Sequence, residues 1–540
     1  MRQPLYSAAV LLAGLLSSTS SMGQAPTKQW DKTYGGNRED RPYVLRVTAD
    51  GGSIIGGSSD STPSGDKTEN SINSDVWVLK LDAAGNKIWD RTVGTSSPDN
   101  FQTLCQASDG GYVLAANSNG NALGDKTQPS KGGLDMWIIK LDANGTKLWD
   151  KVYGGTSHDV VTKMVPTPDG GFLLCGYSES GISGDKTEAT KGGMDFWVVR
   201  IDANGTKLWD KTYGGSGYEE LRGAALTSDG GFVVCGGSVS GISGDKSQGT
   251  RGGVDFWVLK LDAAGTKQWD RTIGTGGDEQ ALDIKQTADG GYVMLGNTGA
   301  GISGDKTQPS KGAYDAWVVK IDASGNLLWD RSLGGLEEDG ASSLLVASDG
   351  GILVYANSNS STSGDKTQDS KGSYDLWLVK LASGGATQWD LTLGGSARDF
   401  ATTGEGMQVT PDGGLLLTGQ SYSPVSGDKT HPNRGDSDYW IMKLGSAITG
   451  TRPALADQKV GVYPNPAKNY ILLHLADHTP RTGLRLALLD AQGRTVYRQP
   501  VATTTSTQVP IAVGQHPPGV YLLRLEGPDG YVATQRVVLE

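Results

Sequence analysis

The chain has 540 residues, more than one ordinary domain holds unless that domain is a repeat array or a large all-β fold. Its 80 glycines against 6 phenylalanines suit many short strands joined by tight turns. The net charge of −11 is a mild acidic excess that leaves no basic face for nucleic acid, and three cysteines make no disulfide framework.

In chain order, the first segment reads as a targeting sequence. Arg2 gives a positive start and Ala8–Leu16 (AAVLLAGLL) is an apolar run too short to span a bilayer. Small residues at Gly23 and Ala25 suit signal peptidase. Residues 1–25 are therefore expected to be a signal peptide; a cut after Gly23 is the alternative, because Pro26 would follow a cut at Ala25. No cysteine stands there for a lipid anchor, and no later segment has the apolar length of a transmembrane helix, so the mature chain is expected to be exported and soluble.

Residues 26–445 repeat. Trp-Asp pairs begin at Trp30, Trp89, Trp149, Trp209, Trp269, Trp329 and Trp389, each followed by an Asp-Gly-Gly turn and then by an Asp-x-Trp. A period near 60 residues suggests a propeller blade or a solenoid unit. In the repeat Ser216–Gly274, strands are expected over Leu221–Thr227, Phe232–Gly236, Phe256–Leu261 and Lys267–Ile273, with no helical periodicity. The chain starts with a lone fourth strand, Gln29–Gly35, and its last repeat ends at a third strand, Asp438–Leu444. The two ends are expected to complete one blade and close a seven-bladed ring, which removes two open sheet edges. All 14 tryptophans fall on these marks. Burying each would contribute about 4–6 kcal/mol, so packing explains them without a sugar platform.

Between the second and third strands lies a long phrase, for example Gly181–Trp197 (GISGDKTEATKGGMDFW). Alternating strand directions place all seven phrases on one face, a crown around one mouth of the central channel, where function is expected. Ten residues after each Trp of the Trp-Asp pair stands an acid: Asp40, Asp99, Asp159, Glu219, Glu279, Asp339 and Asp399. These should ring the crown mouth as a binding surface. Neighbours ~8 Å apart would repel by roughly 2 kcal/mol, to be offset by backbone donors, a cation, or the Lys of each Gly-Asp-Lys. Asp185, Asp195, Asp245 and Asp255 offer the hard oxygen ligands that calcium takes, and calcium is the one cofactor the sequence suggests. The same Asp and Ser beside Gly also make Asx-turns, and repetition in every blade favours that structural reading.

Chemistry is otherwise sparse. His158 and His431 stand in separate repeats and supply no zinc site. Ser157-His158-Asp159 resembles a catalytic triad only in print, because triad members converge from separated segments. Cys175 and Cys235 occupy equivalent positions and read as small buried apolar groups. The acid ring supplies many carboxylate pairs of the kind glycoside hydrolysis uses, with no pair singled out.

Two resemblances add to this. The turn Leu141–Lys151 (LDANGTKLWDK) resembles the repeat of quinoprotein dehydrogenases and related propellers, which implies fold; those enzymes commonly have eight blades and a vicinal cysteine pair, both lacking here. The same turn faintly resembles the sialidase Asp-box but lacks the Ser before the Asp. After a linker, residues 446–459, residues 460–540 carry VGVYPNPAKNYILLHL, LLDAQGRTVYR, PPGVYLLRLEG and TQRVVLE. These resemble the type A C-terminal sorting domain of the type IX secretion system, with Tyr463, Pro464, Asn465, Pro466, Gly493, Gly519 and Tyr521 on its marks. Only Arg536 is basic in the last strand, where family members often carry lysine. The resemblance implies a small Ig-like β-sandwich, the secretion translocon and a sortase-like peptidase as partners, and release or attachment at the cell surface. The expected function is a non-catalytic binding protein that uses the crown for glycan or protein. The alternatives are a polysaccharide hydrolase or lyase using the ring carboxylates and a quinoprotein-like enzyme.

Overall fold

The computed structural model describes residues 24–402, 404–446, 461–463, 466–474, 484–489, 495–500, 508–526 and 532–539. It divides into two units, Met1–Ile448 and Thr449–Glu540. Nearly all of the expected signal peptide and linker lies outside the described residues. Those residues are all-β, with no helix among them.

In the first unit, six antiparallel sheets have four strands in chain order. In the repeat taken as example the strands are Glu219–Leu226, Phe232–Ser238, Asp255–Leu261 and Lys267–Ile273. The first begins two residues before its expected start because the Glu219 amide donates to Met194 O of the preceding sheet at 2.7 Å. A further sheet joins Lys28–Tyr34 to Asp438–Ser446, then to Gly414–Ser421, then to Asp399–Ala401 and Met407–Val409. Its register matches the others: Thr33 faces Trp440 as Thr272 faces Trp257. The first strand of each sheet packs on the first strand of the next, and Asp40–Val47 packs against Gly414–Ser421. Successive sheets packed in this way are the build of a β-propeller.

Second and third strands are buried on both faces, which is why they read as continuous apolar runs. The seven tryptophans of Asp-x-Trp (Trp77, Trp137, Trp197, Trp257, Trp317, Trp377 and Trp440) are fully enclosed. Those of the Trp-Asp pair are half-buried, except Trp389, which is buried, so packing occupies both sets but encloses the first more completely. Six of the seven Trp-Asp indoles, all but Trp389, lie against the positive-φ Gly of the next sheet's third-to-fourth-strand turn; a Cβ on Gly205 would come within 3.0 Å of Trp149.

The two marks are one interaction. The Asp of each Trp-Asp pair accepts the indole N–H of the Asp-x-Trp thirteen residues earlier, at 3.1 Å for Trp197 to Asp210 and 3.0 Å across the chain ends for Trp440 to Asp31. The same carboxylate takes the amide of the residue after Gly-Asp-Lys (Thr187, 2.9 Å), its hydroxyl (2.8 Å) and Lys207 Nζ (2.8 Å). Asp210 therefore fastens the long phrase to the sheet, and burial does not keep its pKa from being lowered by these donors.

In the second unit, Gly461–Tyr463, Tyr470–His474 and Gln508–Ala512 form one sheet, and Arg485–Leu489, Thr495–Pro500, Gly519–Glu526 and Val532–Leu539 another. Ile471, Leu473, Leu486, Leu488, Leu523 and Leu525 are buried in one core.

Asp210→Ala would strand the buried Trp197 N–H and free one phrase. The expected loss is about 3 kcal/mol of stability, measured as a lowered urea midpoint with unchanged slope; a loss under 1 kcal/mol would remove Asp210 as the fastener.

Candidate functional site

The seven acids of the expected ring do stand at the starts of the first strands, but they do not face an open mouth. Asp40, Asp99, Asp159, Glu219, Glu279, Asp339 and Asp399 are all 0% exposed. Each carboxylate accepts the amide four residues back, for example Gly155 N to Asp159 at 2.6 Å and Gly215 N to Glu219 at 2.8 Å. On five of them a serine hydroxyl adds a second donor, Ser180 at 2.8 Å on Asp159 and Ser240 at 2.5 Å on Glu219, while Oδ1 of Asp40, Asp99, Asp159 and Asp339 keeps no hydrogen-bond partner among the described residues. The expectation of an exposed binding ring is corrected: the spacing put these acids at the strand starts, but the pleat turns them inward. A buried carboxylate so enclosed cannot flank a scissile bond, which also removes the material for the hydrolase or lyase alternative.

The phrase acids are similarly occupied. Asp185 and Asp245 each accept the amide of the first glycine after the preceding sheet (Gly154 and Gly214, 3.1 Å), and their own amides donate back to the same glycines at 2.9 and 2.8 Å. Lys131 of the previous phrase pairs with Asp185, and Lys191 with Asp245 at 2.5 Å. These latches run from phrase to phrase, and Arg434 to Asp66 at 3.0 Å carries the series across the chain ends. Asp195 and Asp255 each use one oxygen to accept the amide four residues back, from Lys191 and Arg251 respectively, both at 2.5 Å, while Oδ1 of each has no hydrogen-bond partner among the described residues. Calcium would need several of these oxygens converging. Instead Asp185 and Asp195 serve different partners, and no three His, Cys, Asp or Glu side chains gather among the described residues.

The lysine of each Gly-Asp-Lys is buried beneath its phrase. Lys186 Nζ lies 5.6 Å from the Trp197 ring centroid and bonds Thr212. Burial pushes its pKa down to about 8, against the pull of Asp159 and Asp195. The phrase is thus a structural part, as its repetition implied.

Three places break the sevenfold pattern. On the crown face a cleft of ≈ 300 Å³ is lined by Met194, Tyr218, Glu220, Asp278, Gln280 and Tyr314 among others. Tyr218 is 61% exposed and Tyr314 37%. Next along the rim, Tyr374 and Phe400 lie 5.3 Å apart, and the Arg398 guanidinium stacks 4.9 Å from Tyr422. Exposed Ile182, Ile242 and Ile302 cap three neighbouring phrases.

In the channel, each complete first strand carries a bulge, which turns two successive residues of the strand toward the axis. Lys163, Asp283, Lys285 and Arg46 meet there with Glu405: Lys163 and Lys285 each lie 2.9 Å from Glu405, Lys285 is 2.8 Å from Asp283, and Arg46 pairs with Glu405. Burial, then Lys285, push the Lys163 pKa down to about 7. Burial would raise Asp283, but Lys285 and Lys163 hold it below the usual range. Beyond this plug a cavity of ≈ 580 Å³ opens at the tight-turn mouth, lined by Leu226, Ser228, Lys285, Leu345, Glu405 and Met407 among others. The sequence reading missed these residues. One signal was present: Asp412 follows Asp349 by 63 residues where earlier steps are 60 or close to it, and the added residues are what push Glu405 into the channel.

Of the sorting-domain marks, Tyr521 is 8% exposed in the core and donates to Pro517 O at 2.8 Å. Pro466 is exposed, and Gly519 starts a strand. Tyr463 ends the strand Gly461–Tyr463, and Pro464, Asn465 and Gly493 lie outside the described residues.

The fold and its export signal define a secreted β-propeller protein. Residues 461–540 match the secretion system C-terminal sorting domain. That tail, a mark of type IX export, directs the chain to the cell surface or out of the cell, and no helix among the described residues is long and apolar enough to cross a membrane. The regulatory protein FlaEY of Caulobacter vibrioides is 27% identical over 249 residues, 43% of this chain and 26% of that protein, so the match spans about a quarter of that relative. Among solved structures, a protein of unknown function from Dyadobacter fermentans is 12% identical with a TM-score of 0.40, covering 78% of this chain and 99% of that one. Puromycin hydrolase is 12% identical with a TM-score of 0.42, covering 82% and 60%.

Two outcomes follow. Burial and the ring acid of the next sheet raise Asp75, Asp135, Asp195, Asp255, Asp375 and Asp438 to about 6. Unfolded, they titrate near ~3.9. Their raised values therefore favour the folded state fully below ~4, and this contribution is lost as pH rises through about 6. Hydrogen bonds from Lys260 and Thr287 hold Asp229 and Asp289 at about 2, an opposite contribution that is lost only as pH falls through that value. The Tm should rise as pH is lowered from about 7.5 to about 5; a flat or falling Tm would contradict the buried-carboxyl account. Separately, Glu405→Gln leaves Arg46, Lys163 and Lys285 facing Asp283 alone, and should cost about 3 kcal/mol in chemical denaturation.

Proposed function

We propose that the first unit is one closed seven-bladed propeller, and that the chain is a non-catalytic binding protein holding a carbohydrate in the crown cleft between Tyr218 and Tyr314. Closure is supported by the pairing of Lys28–Tyr34 with Asp438–Ser446 and by the Asp40 amide bonding Ser437 O at 2.8 Å, the same bond that joins every other pair of neighbouring sheets. The tail acts as an Ig-like sandwich that engages the secretion translocon and a sortase-like peptidase.

The observation that carries the binding reading is the cleft itself. It offers two tyrosine faces, one of them 61% exposed, beside Glu220, Asp278 and Gln280. Aromatic faces cover the apolar side of a sugar ring while carboxylate and amide oxygens accept its hydroxyls. A protein partner is the second reading, favoured by the exposed Ile182, Ile242 and Ile302 at the phrase tips.

A glycan-array screen of the exported chain tests the first reading. Tyr218→Ala and Tyr314→Ala should each weaken binding about tenfold, roughly 1.4 kcal/mol, without changing the Tm. Binding that survives both substitutions, or no glycan bound at all, would rule out the cleft as a sugar site.

A further inference from the structure

Each junction between sheets brings together two carboxyls: the aspartate of Asp-x-Trp and the acid that starts the next sheet. Where the chain ends meet they are Asp438 and Asp40, both 0% exposed. Asp438 uses Oδ2 to accept the Arg434 amide at 2.5 Å, and its Oδ1 has no hydrogen-bond partner among the described residues. A Cβ on Gly35 would stand 2.1 Å from that Oδ1 and 2.9 Å from Asp40 Oδ2, so the orphan oxygen lies against the glycine and close beside the second carboxyl. The other junctions repeat the arrangement. Oδ1 of Asp75, Asp135, Asp195, Asp255, Asp315 and Asp375 also lacks a partner, and each lies within 2.5 Å of the place a Cβ would take on its junction glycine. A buried oxygen left unpaired at every one of seven equivalent places is unusual and has one common cause.

With both carboxyls ionised the charge at a junction does not balance. The charged groups facing Asp438 are Asp40 from the next sheet and Lys429 and Arg434 from its own phrase. Arg434 is paired with Asp66 at 3.0 Å. Lys429, 1% exposed, gives hydrogen bonds to Thr33 and Asn433, and Asp399 and Asp31 share its charge. Two enclosed acids to one enclosed lysine is the ratio in every repeat. Like charges held close together away from water repel strongly, and one of two such carboxyls keeps its proton. A water molecule would satisfy Oδ1 and leave the repulsion in place. A metal ion would need several converging oxygens, whereas Asp40 Oδ2 already accepts the Gly36 amide at 2.7 Å and the Ser61 hydroxyl at 3.0 Å. A proton removes one charge and turns the orphan acceptor into a donor.

We propose that each junction pair holds one proton, carried on Oδ1 of the Asp-x-Trp aspartate and donated to the acid that starts the next sheet, and that these pairs form a pH-operated lock between sheets. The roles within a pair follow from the donors. Asp40 accepts an amide and a hydroxyl, which favour its ionised form, whereas Asp438 accepts one amide. Burial, and then Asp40, push the Asp438 carboxyl up to about 6. Below that value the pair has taken one proton from solvent and the two sheets are joined by a hydrogen bond. Above it the proton returns to solvent and two like charges face each other where the sheets meet. The lock therefore tightens as pH falls and loosens as pH rises.

The test replaces the proton by an amide in the whole exported chain. In Asp438→Asn the side-chain NH2 can donate to Asp40 at every pH, so the lock no longer depends on a proton. The expected result is a Tm equal to that of the unaltered chain at about pH 5 and higher than it at about pH 7.5. Asp40→Asn removes the acceptor instead and should lower the Tm at both values. The infrared difference between the unaltered chain and Asp438→Asn at about pH 5 should show the carbonyl stretch of one un-ionised carboxyl. If Asp438→Asn fails to fold, Asp195→Asn carries the same comparison at another junction. A Tm lowered by Asp438→Asn at both pH values, or no un-ionised carboxyl in the difference spectrum, would leave Oδ1 to water and overturn the proposal. A Tm that at about pH 7.5 rises with sodium or calcium at constant ionic strength, and does so no longer in Asp438→Asn, would make the junction a cation site and overturn it too. Asp40→Asn behaving as Asp438→Asn is expected to behave would overturn the placing of the proton.

Discussion

The structure depends on one buried carboxylate per sheet, the aspartate of the Trp-Asp pair. Asp210 takes the indole N–H of Trp197, both polar groups of Thr187 and the ammonium of Lys207. Its value lies in joining parts distant in sequence. The third strand supplies the indole, the long phrase supplies the threonine, and the fourth strand supplies the aspartate itself. A ~60-residue unit with a long excursion between two strands would otherwise carry a loop closed only at its ends. With this hub the excursion is fixed at its middle, and the lysine before the threonine is carried down onto the Trp197 ring.

A fixed phrase can then act on its neighbours. Asp185 exchanges two hydrogen bonds with Gly154 and receives Lys131 from the phrase before it. The glycine is required by contact: a Cβ on Gly154 would lie 2.0 Å from Asp135 Oδ1 and close to the path of that exchange. Blade, phrase and junction are therefore one unit, and the same residue types recur wherever a junction recurs. The first phrase departs from this, with Ser71 where the others carry Lys or Arg, and there Arg91 reaches Asp125 at 3.2 Å instead.

Strand order and turn positions were legible in the sequence because each depends on local chemistry: alternation, Asp-Gly-Gly, Asp-x-x-Gly. The expected fourth strand Lys267–Ile273 agrees with the structure residue for residue. The hub was half legible, since both tryptophan marks were plain but nothing in the thirteen-residue spacing of Trp197 and Asp210 says that the indole donates to the carboxylate. Burial of the ring acids was not legible. Glu219 is polar, repeated and at a strand start, and only the bonds from the Gly215 amide four residues back and the Ser240 hydroxyl 21 residues on make an inward carboxylate tolerable. Glu405 was hidden for a different reason: it lies where one repeat gains three residues, and a period found by matching copies passes over what does not match.

Repetition and exposure separate the structural positions from the ones free to serve a ligand. The acid at 40, 99, 159, 219, 279, 339 and 399 is the same type in every repeat and entirely enclosed. The residue immediately before it is Glu39, Pro98, His158, Tyr218, Asp278, Glu338 or Arg398, and all but Glu39 are exposed. One backbone position thus presents seven different side chains around the crown, held in place by the invariant buried neighbour. Repetition demands sameness only where sheets must fit together. The rim next to it is under no such demand, so its asymmetry, with aromatic groups gathered on the side of Tyr218, Tyr314 and Tyr374, is where selection by a ligand can act without disturbing the packing between sheets.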